Sequence, residues 1–292
     1  MQQSLNPPDC DHYPHSGETM NDHRQTVSRT AMLATLLTLA TPCLHGQSDP
    51  DPTPLLRTAV AKFDAAKQSK TRFTYLYLDH TQNFNLKGKL ILEYTRLYEV
   101  TYIADLEYQK LLEKNGKPLV GRALDKEEKR YEEALRERSA LDDNARAKII
   151  HQDLKHLGPK LDLLATKFRN AVAGHDQLDG RDCLLIDSTP LQSAANAPQR
   201  HYRIWLDPTS AQILRLDYNL LADEPGIRCG ATVTKTWTHI DEIPVGTRDH
   251  LDFITYGGNG PVHVVSDHTF SHYRRFVATA RILPGALENG QR

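Results

Sequence analysis

Five histidines in the C-terminal third of the chain have the side chain most often used for metal binding or proton transfer. They are His239, His250, His263, His268 and His272. Metal ligands on strands favour a spacing of two residues or a convergent set from several strands, whereas the last three of these histidines are spaced by five and four. The spacing favours surface or hydrogen-bonded histidines on strands. We therefore expect no metal site and no cofactor.

Ser266, Asp267 and His268 are consecutive, and Ser271 follows, so this segment contains the three residue types of a hydrolytic triad. Adjacent residues of a strand point to opposite faces, however, and the sequence has no G-x-S-x-G elbow. It also has no P-loop, G-x-G-x-x-G, H-E-x-x-H or C-x-x-C motif. The sequence therefore predicts a protein that is not an enzyme.

The segment RIWLDPTSAQILRLDY, residues 203–218, combines a tryptophan, arginines and aspartates in an apolar stretch. It could place catalytic carboxylates beside a substrate platform, or form two strands and a turn. Asp207 and Pro208 occupy the first two positions of a type I turn, where a carboxylate caps backbone N–H groups and proline pre-sets φ. We therefore interpret Asp207 as a turn residue.

Aromatic residues recur on the strand-like segments. They are Phe73, Tyr75, Tyr77, Tyr94, Tyr98, Tyr102, Trp205 and Trp237. They could form a core beneath helices, or part of the set could line a cavity for an acyl chain, since apolar pockets with few polar groups suit lipid ligands. The candidate cavity residues are Tyr94, Tyr98, Trp205 and Trp237.

The order of the elements predicts an α+β protein. A stripe at helical spacing follows the proline-rich segment and comprises Leu55, Leu56, Ala59, Val60, Phe63 and Ala66. Residues 87–103 alternate between apolar and polar, and only Arg96 interrupts the apolar parity. Residues 125–169 carry mixed charges at helical spacing, and the chain is strand-rich from Gly174 onward. We expect a large antiparallel sheet covered on one face by helices.

The N-terminal region indicates export. Residues 20–47 contain a basic segment, an apolar core and a plausible cleavage site, as in a signal peptide. Residues 1–19 fit nothing in front of a signal peptide, and we interpret them as a non-native or disordered extension. Cys43 follows a loose lipobox with a proline before the cysteine, so lipid anchoring is the less favoured alternative to plain secretion. We therefore expect an exported, periplasmic protein.

Charge and cysteine content limit the partners. The formal net charge of −1 lacks the basic excess of a nucleic-acid-binding protein. Cys183 and Cys229 remain after the N-terminal segments are set aside, and they could form a disulfide or remain two thiols.

Several segments together resemble the outer-membrane lipoprotein-sorting superfamily of the LolA/LolB type. They are LKGKLILEYTRLYEVTYI, LDGRDCLLIDSTP, RIWLDPTSAQILRLDY and SHYRRFVATARILPG. The resemblance covers about residues 55–283, although the charged region 125–157 is longer than the family pattern. It implies a curved antiparallel sheet that forms an unclosed β-barrel, with helices over an apolar cavity for acyl chains. Its motifs identify no individual ligand-binding residue.

The sequence therefore predicts a linker at residues 48–54, one domain at 55–285 and a tail at 286–292. The predicted function is that of a periplasmic binding or carrier protein for a lipid, a lipoprotein acyl chain or another apolar ligand. The alternative is an envelope sensor or assembly component that uses the same fold to bind a protein partner. Membrane contact would be peripheral or transient at most.

Overall fold

The computed structural model describes residues 51–67, 72–156, 161–192, 197–257 and 260–276. The predicted extension, the signal peptide and the tail lie outside these residues, as does Cys43. The boundaries of the linker and of the domain therefore stay predictions.

Four α-helices occur in the described part of the chain: α1 (Thr53–Lys67), α2 (Arg122–Ser139), α3 (Asp143–His156) and α4 (Leu164–Lys167). Helix α1 begins where the sequence indicates, with Pro54 in its first turn. The Asp51 carboxylate accepts the backbone N–H of Thr53 at 2.9 Å and so satisfies a donor that a helix start leaves unpaired. No helix in the described ranges is both long and apolar enough to span a bilayer.

Eleven strands form one sheet within the described ranges: β1 (Phe73–Phe84), β2 (Leu90–Ile103), β3 (Leu106–Lys114), β4 (Lys117–Pro118), β5 (Phe168–Leu178), β6 (Arg181–Pro190), β7 (Arg200–Asp207), β8 (Gln212–Leu220), β9 (Thr232–Ile240), β10 (Ile243–Gly257) and β11 (Gly260–Arg275). The order across the sheet is β4-β3-β2-β1-β11-β10-β9-β8-β7-β6-β5, and every neighbouring pair is antiparallel. Strands β4 and β5 are edges that do not pair with each other. The predicted α+β class and the unclosed antiparallel sheet are confirmed.

The main hydrophobic core lies between α1 and one face of the sheet, which we call the inner face. Leu56 of α1, Ile204 of β7 and Leu216 of β8 are fully buried in this core, together with Leu164 of α4. Each such side chain contributes about 1.5–3 kcal/mol through burial. The core fixes the position of α1 on the sheet.

Helix α2 packs at the other end of the sheet, against β2 and β3. Tyr108 of β3 donates its hydroxyl to the buried Glu127 of α2 at 3.2 Å, and Arg130 binds the same carboxylate at 2.7 Å. Tyr108 pairs with Thr101 of β2, so the two side chains share a face of the sheet. Val100, the neighbour of Thr101, points to the inner face, and Tyr108 is therefore on the opposite face. The prediction that helices cover one face of the sheet thus holds for α1 and α4. Helix α2 instead packs on the opposite face, against β3.

Candidate functional site on the inner face

Five adjacent strands place charged or titratable side chains side by side on the inner face. The residues, from β2 to β9, are Arg96, Asp79, His268, Asp249 and Lys235. Each is the direct pairing partner of the next, so all five share one face of the sheet. We call this set the charged row.

Short contacts link the charged row internally. Lys235 donates its ammonium to Asp249, and the Nε2 atom of His268 lies 3.8 Å from the Oδ1 atom of Asp79. Thr81 donates to the same Oδ1 atom at 2.7 Å. Burial lowers the pKa of His268, so that its imidazole is neutral at pH 7. The row therefore combines paired charges with a neutral proton acceptor.

Stacked tyrosines lie beside the charged row. Tyr77 stacks on Tyr98 with ring centroids 5.5 Å apart, and on Phe270 at 5.3 Å. Tyr75 stacks on Tyr273 at 5.0 Å. Burial raises the pKa of Tyr75, Tyr77 and Tyr273, which keeps these phenols protonated. In this tyrosine cluster the rings cover one another's faces across neighbouring strands.

A cavity of about 310 Å³ lies between α1 and the strands β8, β9 and β10. Helix α1 presents small side chains to it, at Ala59 and Ala66, which leaves space above the sheet. The residues that line it are Ala59, Lys62, Phe63, Ala65, Ala66, Ala211, Gln212, Ile213, His239, Asp241, Glu242, Ile243 and Pro244. Most of this lining is apolar, and the charged groups come from α1 and the β9–β10 turn.

Three of the four aromatic cavity candidates lie on the inner face. Tyr94 and Tyr98 stand on β2, and the Arg96 guanidinium lies 4.2 Å from the centre of the Tyr94 ring. Trp237 of β9 meets Phe63 of α1 edge to face, with centroids 5.3 Å apart. None of these three residues lines the 310 Å³ cavity, but Trp237 packs against the helix that covers it.

Trp205 lies apart from the other three candidates. It alternates with Ile204, so its ring is on the other face of β7, where it packs against Cys183 and Leu214. Its indole N–H donates to Asp176 at 2.8 Å, and the Arg215 guanidinium lies 4.4 Å from the ring centre. The inner face is thus the one that carries Ile204.

Asp207 is a turn residue, as the sequence indicates. Its carboxylate accepts the backbone N–H groups of Thr209 at 2.8 Å and Ser210 at 3.2 Å. Burial alone would raise the pKa of Asp207, but the hydrogen bonds from Ser210 and Thr209 outweigh it, and the pKa lies below its usual range. These bonds close the β7–β8 turn.

The C-terminal histidines form separate contacts. His250 lies 3.1 Å from Asp267, and the Nε2 atom of His263 lies 2.7 Å from Asp252. His272 contacts the Ser271 hydroxyl at 3.0 Å. No group of three histidine, cysteine or acidic side chains in the described ranges is arranged to hold a metal ion.

Cys183 and Cys229 are not joined to each other by a disulfide. Cys183 stands near the start of β6, whereas Cys229 belongs to the β8–β9 loop at the other end of the strands. Strands of eight residues are roughly 26 Å long, whereas the Cα atoms of a disulfide lie within about 7 Å of each other. Of the two alternatives that the sequence leaves open, the disulfide is therefore not formed.

The charged row is the feature that the sequence did not predict. Its signal is present in one strand, because Arg96 interrupts an otherwise apolar parity in β2. The other members become neighbours only through strand pairing that joins distant segments, such as Asp79 with His268. A charged residue at one of the otherwise apolar alternating positions in each of several strands would have indicated such a row.

A scan against protein-family models finds no match, and a search of curated proteins finds no significant one. Among solved structures, the chain is similar to a DUF1329 family protein from Desulfovibrio piger, at 14% identity and a TM-score of 0.36, over 79% of this chain and 96% of that chain. A putative outer membrane lipoprotein-sorting protein domain from Vibrio parahaemolyticus shares 9% identity at a TM-score of 0.32, over 75% and 91%. A LolA superfamily protein from Nitrosomonas europaea shares 8% identity at a TM-score of 0.29, over 77% and 94%. The last two of these proteins carry the name of the superfamily that the sequence resembles.

Proposed function

We propose that the protein is an exported, non-enzymatic carrier that holds an apolar ligand between α1 and the inner face of the sheet. The observation that carries the proposal is the cavity of about 310 Å³ beneath α1. Its volume lies at the lower end of the range of about 300–1,000 Å³ for small-molecule sites. The ligand class that fits it best is an acyl chain of a lipid or lipoprotein.

The chemistry of the lining supports an acyl chain. Phe63, Ile213 and Ile243 supply apolar surface, while alanines of α1 keep the space open. The Lys62 ammonium is already bound to the backbone carbonyl of Ser210 at 2.8 Å, so it forms part of the edge of the cavity. An apolar wall with a few polar groups at its edge orients a ligand that has an apolar tail and a polar end.

The site and the sequence together favour transport over chemistry. Within the charged row, Lys235 binds Asp249 and His268 lies 3.8 Å from Asp79, and the described lining of the cavity has no nucleophile beside a base. The predicted signal peptide would deliver the chain to the periplasm, where lipids and lipoproteins need a carrier between membranes. Binding there requires neither a cofactor nor a metal.

A space-filling substitution tests the proposal. Ala66→Phe places an aromatic ring in the cavity and should weaken binding of a fluorescent fatty-acid probe roughly tenfold or more, because overpacked sites reject additional volume. Ala61→Phe, on the exposed side of the same helix, is the matched control and should bind the probe like the wild type.

Two outcomes would contradict the proposal. One is the absence of saturable probe binding by the delipidated wild-type protein, and the other is equal binding by both variants. Native mass spectrometry of the protein purified from its own envelope gives an independent measurement, in which we expect a co-purified lipid.

A further inference from the structure

The exposed large hydrophobic side chains are concentrated at one end of the sheet. Seven of the eleven in the described ranges lie on the turns and strand ends there: Leu86, Leu90, Ile91, Leu92, Leu191, Leu221 and Tyr256. The antiparallel order places the β1–β2, β3–β4, β6–β7, β8–β9 and β10–β11 connections at this end. We call this set of seven residues the apolar rim.

The opposite end of the sheet has a different composition. Its β2–β3, β5–β6, β7–β8 and β9–β10 turns contain Asp105, Asp179, Asp207, and Asp241 with Glu242. These turns carry carboxylates where the apolar rim carries aliphatic side chains. The two ends of the strands therefore present different surfaces.

Basic residues accompany the apolar rim. Lys87 and Lys89 lie between the exposed Leu86 and Leu90 in the β1–β2 turn, and the Arg228 guanidinium lies 5.4 Å from the centre of the exposed Tyr256 ring. Of the acidic groups nearby, Glu224 pairs with Arg200 at 2.6 Å and Glu93 with His80 at 2.9 Å, while Asp223 accepts the backbone N–H of Cys229 at 2.8 Å. The rim is thus apolar and locally basic.

The β1–β2 turn is held in shape by its own hydrogen bonds. The Asn85 side chain accepts the backbone N–H groups of Lys87 at 2.9 Å and Lys89 at 3.0 Å. Gly88 adopts a φ of 76°, which glycine tolerates without strain. Leu86 is 51% exposed and Ile91 is 59% exposed. The turn presents these two side chains to solvent without needing to rearrange.

We propose that the apolar rim is a docking surface for a membrane that contains anionic lipids. Aliphatic side chains on separate segments can each enter a fluid bilayer, and neighbouring lysines and arginine attract anionic head groups. Tyr256, with its apolar ring and polar hydroxyl, has the character of residues that lie at the membrane interface. This contact is separate from the proposed ligand cavity and does not depend on it.

Vesicle sedimentation of the full chain tests the docking surface. The double variant L86S/I91S should bind vesicles of phosphatidylglycerol and phosphatidylcholine at least about tenfold more weakly than the wild type, because two aliphatic side chains no longer enter the bilayer. Leu135→Ser, at an exposed position of α2 away from the rim, is the matched control and should bind like the wild type. All variants share residues 1–50, so any contribution of that segment is common to them.

Substitution of the two lysines provides a second test of the docking surface. Lys87→Gln and Lys89→Gln should each weaken binding to the anionic vesicles roughly fivefold, and should leave any binding to pure phosphatidylcholine unchanged. Equal sedimentation of the wild type and L86S/I91S, or the same loss in Leu135→Ser, would overturn the proposal, as would lysine variants that bind anionic vesicles normally. The fatty-acid probe should bind all rim variants like the wild type, so failure of docking and failure of ligand binding are distinguishable.

Discussion

The inner face of the sheet has two halves that are built differently. Beneath α1, strands β6 to β8 present fully buried aliphatic residues such as Ile204 and Leu216. From β9 to β2, the same face carries the charged row and the tyrosine cluster. The boundary falls where Leu216 of β8 pairs with Lys235 of β9. The half that meets the fully buried stripe of α1 uses aliphatic packing, and the half from β9 to β2 uses stacked rings and charged or titratable side chains.

The largest effect is expected in the aliphatic half. Leu216→Ala should lower the free energy of unfolding by about 2–5 kcal/mol, because the surrounding core closes only partly around the missing atoms. Urea unfolding followed by circular dichroism measures the difference. Leu135→Ala, at an exposed position on α2, should change stability by about 0.5 kcal/mol or less. Comparable losses in the two variants would show that the α1 interface is not the main core.

A smaller effect is expected in the charged row. Lys235→Met removes the partner of Asp249, whose side chain is only 14% exposed, and should cost about 1–3 kcal/mol of unfolding free energy. The double variant K235M/D249L removes both charges and should recover part of this loss. If the double variant is as unstable as the sum of the single variants, the two residues do not act as a pair.

The pH dependence of stability distinguishes the two halves, because the titratable residue in the described aliphatic core is Tyr202, and burial raises its pKa above the usual value of 10, far from the range in which histidine titrates. Burial lowers the pKa of His268, and Lys235 lowers it further, while Asp79, Asp249 and Asp267 raise it without reversing the direction. Since the folded-state pKa lies below the unfolded value of about 6.5, the folded protein binds fewer protons than the unfolded chain in that range. Stability present above about pH 6.5 should therefore be lost as the pH falls towards the folded-state pKa.

Thermal unfolding measures this loss between about pH 7 and pH 5, a range chosen to span the unfolded-state histidine pKa of about 6.5. His268→Gln should flatten the dependence, whereas His175→Gln, at an exposed position on β5, should leave it as in the wild type. An unchanged slope in His268→Gln would exclude His268 as the group responsible.

The smallest effect is expected for ion pairs on the outer side of the sheet. Arg203 binds Asp187 at 2.8 Å across β6 and β7, and its side chain is 45% exposed. Arg203→Ala should cost about 0.2–1 kcal/mol, and added salt should reduce the difference. A loss as large as that of Lys235→Met would show that location on the inner face does not determine the strength of these pairs.

Local patterns predicted much of the fold. Alternation in residues 87–103 indicated β2, and the apolar stripe after Pro54 indicated α1, because both periodicities follow from backbone geometry. The turn function of Asp207 was equally local. The charged row was not predictable in this way, since Asp79 and His268 are far apart in sequence and meet only through the β1–β11 pairing.

The tryptophans show the same limit. Alternation places Trp205 and Ile204 on opposite faces of β7, but it does not indicate which face α1 covers. That choice depends on the apolar side of a helix about 150 residues earlier in the chain, which meets Ile204 only in the folded core. Trp237 and Trp205 therefore looked equivalent in the sequence, although only Trp237 contacts α1.

A sheet that does not close leaves two borders to which other chains could add strands. One border is β4, only two residues long, which offers little backbone for a foreign strand to pair with. The other is β5, where the register shifts between Val172 and Gly174 and interrupts the regular row of hydrogen-bonding groups. These irregular borders leave the sheet unclosed while offering little regular backbone for the addition of a foreign strand.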